Sequence, residues 1–316
     1  MQTKRLEVNI VRLLRPRQWI KNFAVFAAII FSGSLFDPPI LEKAVIAFFL
    51  FCGLSSAAYI VNDIFDIKKD KLHPFKKYRP LANGDVPIPI AFAIAAALII
   101  FCMFFSFYIT PAFFWIAAAY LLIQLLYSVF LKSIAIIDIL AIASGYILRV
   151  YAGEFVSGSH ISVWLLLTTI SLALFLAIGK RRSELTLISQ NKESNISLIR
   201  KSLSHYSERL LDVYASIFAT SIFISYSLFT FLETSQRFKF DISQILPEFL
   251  PAFFQRKWLM ITIIPVVYGL MRYLQDIYEK HEGESPEKVL LSDKALLTTV
   301  IIWLALVLVI IYGVGQ

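Results

Sequence analysis

A helix of about 20 apolar residues matches the hydrocarbon core of a bilayer, and this chain offers about nine stretches of that kind. They lie near 20–36, 44–61, 88–109, 111–130, 134–152, 161–179, 211–232, 258–274 and 295–314. Pro111 parts the third from the fourth, and Lys132-Ser133 breaks the chain before the fifth, so neighbouring helices run antiparallel through tight turns. Of 316 residues, 58% are hydrophobic and only 16% charged, with a mean hydropathy of +0.72. A soluble domain of this length is far more polar, so the expected class is an all-α integral membrane protein, a single transmembrane domain over 1–316. Cys52 and Cys102 both sit inside apolar runs without paired spacing, and read as small buried hydrophobes. Residues 1–18 are basic and polar, with no cleavable signal ahead of the first apolar run.

Charge sets the expected orientation. With a cytoplasmic N-terminus, 23 of the 30 Lys and Arg fall on that side: six in 1–21, six in 62–87, Lys132, seven in 180–209 and three in 275–294. This asymmetry predicts a multi-pass protein of the cell (inner) membrane, N-terminus cytoplasmic and C-terminus external. The net charge of +8 is then partly a consequence of topology. No aromatic-basic platform or nucleic-acid motif accompanies it, so no nucleic-acid partner is expected.

The second span runs directly into Asn62-Asp63-Ile64-Phe65-Asp66-Ile67-Lys68-Lys69-Asp70. At about 100° per residue, Asn62, Asp63, Asp66 and Asp70 occupy about a third of a helix circumference. Carboxylates crowded on one face repel one another, and a divalent cation relieves them. Oxygen donors of this kind suit Mg²⁺ carrying substrate phosphates, which points to phosphate chemistry at a membrane. The following loop carries Lys76 and Arg79, positioned to clamp phosphate oxygens, although topology alone would also place bases there.

Further polar residues cluster towards the same side. Gly179-Lys180-Arg181-Arg182-Ser183-Glu184 ends the sixth span, with Lys180 and Glu184 on one face. The fifth span carries Asp138 and Arg149, about 16 Å apart along the axis and too distant to pair. Tyr127 and Lys132 precede that span. The N-terminal run Leu14-Arg15-Pro16-Arg17-Gln18-Trp19-Ile20-Lys21-Asn22 is readable either as an interfacial anchor or, through Lys21 and Asn22, as part of a cavity wall.

Asn62-Asp63-x-x-Asp66-x-x-x-Asp70 with Arg79-Pro80-Leu81-Ala82-x-Gly84 resembles the first aspartate-rich motif and loop of the UbiA superfamily of intramembrane prenyltransferases. The resemblance implies nine helices around a lipid-open cavity, with Mg²⁺ and pyrophosphate near the cytoplasmic side. One departure stands out: where members carry a second aspartate-rich motif, this chain has Lys180-Arg181-x-x-Glu184. That change is similar to the decaprenyl-phosphate phosphoribosyltransferase branch, as are Arg15-Pro16-Arg17-Gln18-Trp19-x-Lys21-Asn22, Asp70-x-x-His73-Pro74-x-Lys76-x-x-Arg79-Pro80, Tyr127-Ser128, Gly145-x-x-x-Arg149, Arg272-Tyr273 and Gly283-Glu284-x-Pro286-Glu287.

The branch implies a phosphoribosyl pyrophosphate donor, a polyprenyl (decaprenyl-type) phosphate acceptor and a role in cell-wall synthesis. Asp63, Asp66 and Asp70, with Asn62, are then the metal-holding and catalytic group. Lys76, Arg79, Lys180 and Arg181 are the expected donor-phosphate ligands, and Lys21, Asn22, Tyr127, Lys132 and Arg149 the groups orienting the acceptor. Two alternatives stay open: prenyl transfer from prenyl pyrophosphate to an aromatic acceptor, and a non-catalytic transporter of anionic lipid. The oligomeric state is also open.

Overall fold

The computed structural model describes residues 2–72, 76–190, 201–232, 258–279 and 286–314. Helix α1 (Gln2–Leu14) leads into a 3₁₀ segment (Pro16–Phe26) and the short α2 (Ala27–Phe31). Then come α3 (Pro38–Leu72), α4 (Ile88–Ile109), α5 (Pro111–Val129), α6 (Ile137–Ser157), α7 (Val163–Gln190) and α8 (Glu208–Leu232). The C-terminal part holds α9 (Ile263–Glu279), α10 (Pro286–Ser292) and α11 (Lys294–Val309), the last ending in a π turn over Ile310–Val314. Among the described residues there is no strand. His73, Pro74, Phe75, Gly283 and Glu284 of the sequence motifs lie outside the described residues.

Helix boundaries follow local chemistry. Pro38 and Pro111 open α3 and α5 at positions where a missing N–H costs nothing. Thr110, forced extended by the following proline, ends α4 and caps α5 by accepting a hydrogen bond from Phe113 N at 3.1 Å. Asp293 caps α11 in the same way, accepting from Leu296 N at 2.8 Å. Gly158 closes α6 in the left-handed conformation, φ 66°.

Among the described residues, eight helical stretches are long and apolar enough to cross a membrane. The expected first span at 20–36 is different from the rest: its residues divide between a 3₁₀ segment, α2 and a turn at Gly33 (φ 73°). A 3₁₀ segment rises faster but packs its hydrogen bonds less well, and here it is stitched to its neighbours instead of standing alone. The second span begins at Pro38, not near 44, and α10 was not foreseen.

Helix α3 is the most buried of the spans, whereas α4 is mostly turned outward, with Phe101, Phe104, Phe107 and Tyr108 exposed as lipid-facing residues require. Phe51 on α3 packs on Phe113 and Tyr120 of α5 and belongs to the same core as Val25 and Ala152. A second core joins α6 to α9 through Ile139, Phe175, Ile178, Leu211, Ile222 and Tyr273. The ring of helices closes where Tyr312 OH meets Ile29 O and Ile30 O, at 3.0 and 2.9 Å, and accepts from Leu35 N.

The 35 residues of α3 make a rod of about 52 Å at 1.5 Å per residue, well beyond a hydrocarbon core of about 30 Å. Its last turns, carrying Asn62 to Asp70, therefore project past the lipid. The 28-residue α7 does the same with Lys180 to Glu184, and Lys76 from the loop after α3 reaches across to Glu184 at 2.8 Å.

Candidate active site

The projecting helix ends enclose a cavity of about 1200 Å³, open mouth included. Helix α3 contributes Tyr59, Asn62, Asp66 and Asp70, a stripe at i, i+3, i+7 and i+11 that keeps to one face. From α5 come Tyr120, Gln124 and Tyr127, and from α6 Ile142, Tyr146 and Arg149, again at helical spacing. The 3₁₀ geometry matters at the N-terminal wall. With three residues per turn, Gln18 and Lys21 stack on one face, in line with Arg15 at the segment's start. Arg15 itself adopts a left-handed conformation, φ 53°, which ends α1 before the segment begins.

Each acid at the mouth is held by a base. Lys132 Nζ lies 2.7 Å from Asp66 Oδ1 and 3.3 Å from Asn62 Oδ1. Arg79 bridges Asp70 at 2.7 Å and Asp63 at 3.0 Å, and Arg15 grips both Asp63 oxygens at 2.6 Å. Burial disfavours the Lys132 ammonium and lowers its pKa, an effect the Asp66 carboxylate only partly offsets. Deeper in, Arg149 donates to Asn22 Oδ1 (2.6 Å), Gly145 O (2.5 Å) and Tyr120 OH (3.0 Å), with its guanidinium also over the Tyr120 ring.

Three expected site residues do not line the cavity. Arg181 is completely buried between Asp138 (2.7 Å) and Glu184 (2.6 Å) and donates to Tyr127 OH. It does not line the cavity; as α7 turns 100° per residue, its neighbour Lys180 takes that wall instead. Asn22, fully buried, supports Arg149 and donates to Ser55. Asp63 does not line the cavity itself but anchors Arg15 and Arg79, which do. The other expected residues, Lys21, Asn62, Asp66, Asp70, Lys76, Arg79, Tyr127, Lys132, Arg149 and Lys180, share the cavity wall.

Sequence reasoning overlooked Tyr59, Tyr120, Gln124 and Tyr146, and gave Glu287 no role. The signal was available: Tyr59 and Tyr146 sit three positions before Asn62 and Arg149, and Tyr120 two turns before Tyr127, on the same helical faces. Asp138, expected to share a polar stripe with Arg149, is instead satisfied outside the cavity by Arg181, Tyr206 (2.7 Å) and Ser202 (3.0 Å).

Seven cationic side chains and four carboxylates line the cavity. That positive excess selects an anionic ligand. Lys180 makes this sharper, since it forms neither an ion pair nor a hydrogen bond among the described residues. On the opposite sign, Asn62, Asp66 and Asp70 present hard oxygen donors, the chemistry that Mg²⁺ takes. Among the described residues no three carboxylate, histidine or cysteine groups yet converge on one metal position. Each of the three donors is engaged by a base instead, Lys132 on Asn62 and Asp66 and Arg79 on Asp70.

The sequence matches the UbiA prenyltransferase family over residues 22–297. Two relatives described as decaprenyl-phosphate phosphoribosyltransferases are each 33% identical. The one from Corynebacterium glutamicum aligns over 98% of this chain and 88% of its own length, and the one from Mycolicibacterium smegmatis over 98% and 94%. In three dimensions the chain is similar to a UbiA homolog from Archaeoglobus fulgidus solved with GPP and Mg²⁺, with a TM-score of 0.69 and 18% identity over 96% of this chain and 100% of that one. With near-full-length sequence relatives and the same ring of helices, the chain is a multi-pass membrane transferase and belongs to the UbiA prenyltransferase family.

Proposed function

We propose that the protein transfers 5-phosphoribose from phosphoribosyl pyrophosphate to a polyprenyl phosphate of decaprenyl type, releasing pyrophosphate, with Mg²⁺ as cofactor. The reading rests on one observation above the others: Lys180, which forms no ion pair or hydrogen bond among the described residues, stands on the cavity wall of a chain whose near-full-length relatives are described as decaprenyl-phosphate phosphoribosyltransferases. A cation there suits a donor with a phosphate beyond its pyrophosphate, which a prenyl pyrophosphate lacks.

Asn62, Asp66 and Asp70 would hold Mg²⁺, which when bound neutralises charge on the departing pyrophosphate. Lys76, Arg79 and Lys132 exchange their carboxylate partners for phosphate oxygens as the donor arrives, which conserves local charge. Lys180 takes the 5-phosphate. The C1–oxygen bond to pyrophosphate breaks, and an oxygen of the lipid phosphate bonds to C1. That oxygen is already anionic near neutral pH, so no strong general base is required. Arg149 and Lys21 orient it, while Asn22 and Tyr120 hold Arg149 in place. Asp63 and Arg181 act from behind the wall, as positioning residues. The basic loops and helix ends favour a cytoplasmic site in the inner membrane, with the N-terminus cytoplasmic and the C-terminus external.

The test is to supply the detergent-purified protein with each donor in turn and follow pyrophosphate release. Turnover with phosphoribosyl pyrophosphate and polyprenyl phosphate supports the reading. Release from prenyl pyrophosphate with an aromatic acceptor, and none from the sugar donor, overturns it.

A further inference from the structure

Glu287 is a carboxylate in a place that should repel phosphate. It comes from the seven-residue α10, and its side chain, only 5% exposed, reaches the cavity wall. Its two oxygens are treated differently. Gln18 Nε2 donates to Oε1. Oε2 lies 3.1 Å from Lys21 Nζ in an ion pair and, among the described residues, receives no well-aligned hydrogen bond. Gln18 is fixed at its other end too, accepting from Lys21 Nζ at 2.5 Å.

The three side chains thus form a closed triangle, two of them stacked by the 3₁₀ register. A carboxylate is an acceptor with about four lone-pair sites, and the Gln18 hydrogen bond with the Lys21 ion pair leaves sites for a ligand that donates. Phosphate oxygens at neutral pH have little to donate. Hydroxyl groups do, and a buried, pre-oriented carboxylate beside an amide suits a vicinal diol. A prenyl chain carries no hydroxyl and offers Glu287 no further donor, so it forgoes the stabilisation that a sugar gains there.

We propose that Glu287, oriented by Gln18 and Lys21, accepts hydrogen bonds from the pentose hydroxyls of the donor and restricts the site to a phosphorylated sugar. This rests on the donor identity proposed above and adds to it the residue that reads the sugar itself. Removing a hydrogen bond to a charged group weakens binding on the order of 10–100-fold.

The experiment uses full-length protein in detergent, as wild type, E287Q and E287A, and measures KM for phosphoribosyl pyrophosphate beside inhibition by inorganic pyrophosphate. The expected result is a KM raised about 10–100-fold in E287A and less in E287Q, with pyrophosphate inhibition unchanged or tighter. E287Q, nearly the same shape, carries the comparison independently of how E287A folds. If pyrophosphate inhibition weakens in parallel with KM, Glu287 only places Lys21 for phosphate and the proposal fails. An unchanged KM defeats it as well. A wild type that turns over prenyl pyrophosphate but not the sugar donor instead overturns the donor reading, a result distinct from either.

Discussion

Lys132 Nζ lies 2.7 Å from Asp66 Oδ1, which ties the turn between α5 and α6 to the acidic end of α3. The same pattern repeats around the mouth, with Arg79 on Asp70 and Lys76 on Glu184. Partly buried charges are stable only while paired, so these bases and acids keep one another in place until better partners arrive. A metal for the acids and phosphates for the bases would exchange every pair without leaving a charge alone. The polar lining is thereby prepared for a ligand that brings both signs together.

Asp66→Asn keeps the side chain's shape and removes one of the cavity's charges. Turnover should fall by at least 10²-fold, since charge neutralisation at a leaving group is worth several kcal/mol. Lys132 retains Asn62 as a neighbour at 3.3 Å, so the thermal midpoint should move by only a few degrees. Pyrophosphate release and a melting curve measure the two effects separately. A folded variant with wild-type turnover would remove Asp66 from the reaction.

Adjacent residues on α7 should fail in opposite ways. Lys180→Ala should raise the KM for the donor and leave the fold intact, because Lys180 lines the cavity and forms no ion pair among the described residues. Arg181→Ala leaves Asp138 and Glu184 buried beside an empty space, and breaking a buried pair in this way costs about 3–5 kcal/mol. Its signature is a lower unfolding temperature and poor yield, with KM near normal in whatever folds. A stable Arg181→Ala with a much weakened donor KM would contradict the placement of Arg181 behind the wall.

This contrast also marks how far the sequence could be read. Long apolar runs are unambiguous because lipid demands them, and the acids at 62–70 stood out because charge at a membrane boundary is costly. What stayed hidden was direction. Asp63 and Asn62 are neighbours in sequence but 100° apart on a helix, and only packing decides which one meets the cavity. The 3₁₀ register of Pro16–Phe26 was also invisible, since no periodicity in eleven residues separates it from an α-helix. Glu287 depends on α10 folding back beside that segment, a long-range contact that no local pattern announces.

Chelation should stop turnover, and Mg²⁺ or Mn²⁺ should restore it. The cavity-facing donors are the amide oxygen of Asn62 and the carboxylates of Asp66 and Asp70, hard ligands that suit these ions better than soft or strongly nitrogen-preferring metals. Activity that survives exhaustive chelation would show that the acids serve only to hold Lys132 and Arg79. Binding of labelled pyrophosphate with and without metal provides a second readout, expected to strengthen at least tenfold when the ion is present.

Gly153→Ala tests whether the 3₁₀ segment must approach α6 as closely as it does. A Cβ at position 153 would lie 1.9 Å from Val25 O, a backbone atom that cannot rotate aside. The segment or the helix must therefore move, and overpacking of this kind costs about 1–3 kcal/mol. Val25 is only four residues beyond Lys21, so the displacement passes to the wall that carries Lys21 and Gln18. The variant should melt at a lower temperature and show a raised donor KM, although residue 153 never touches the ligand. Gly313→Ala, where an added Cβ meets nothing within 4 Å, is the matched control and should leave both quantities unchanged. If the two substitutions behave alike, the close contact between Gly153 and Val25 does not set the position of the N-terminal wall.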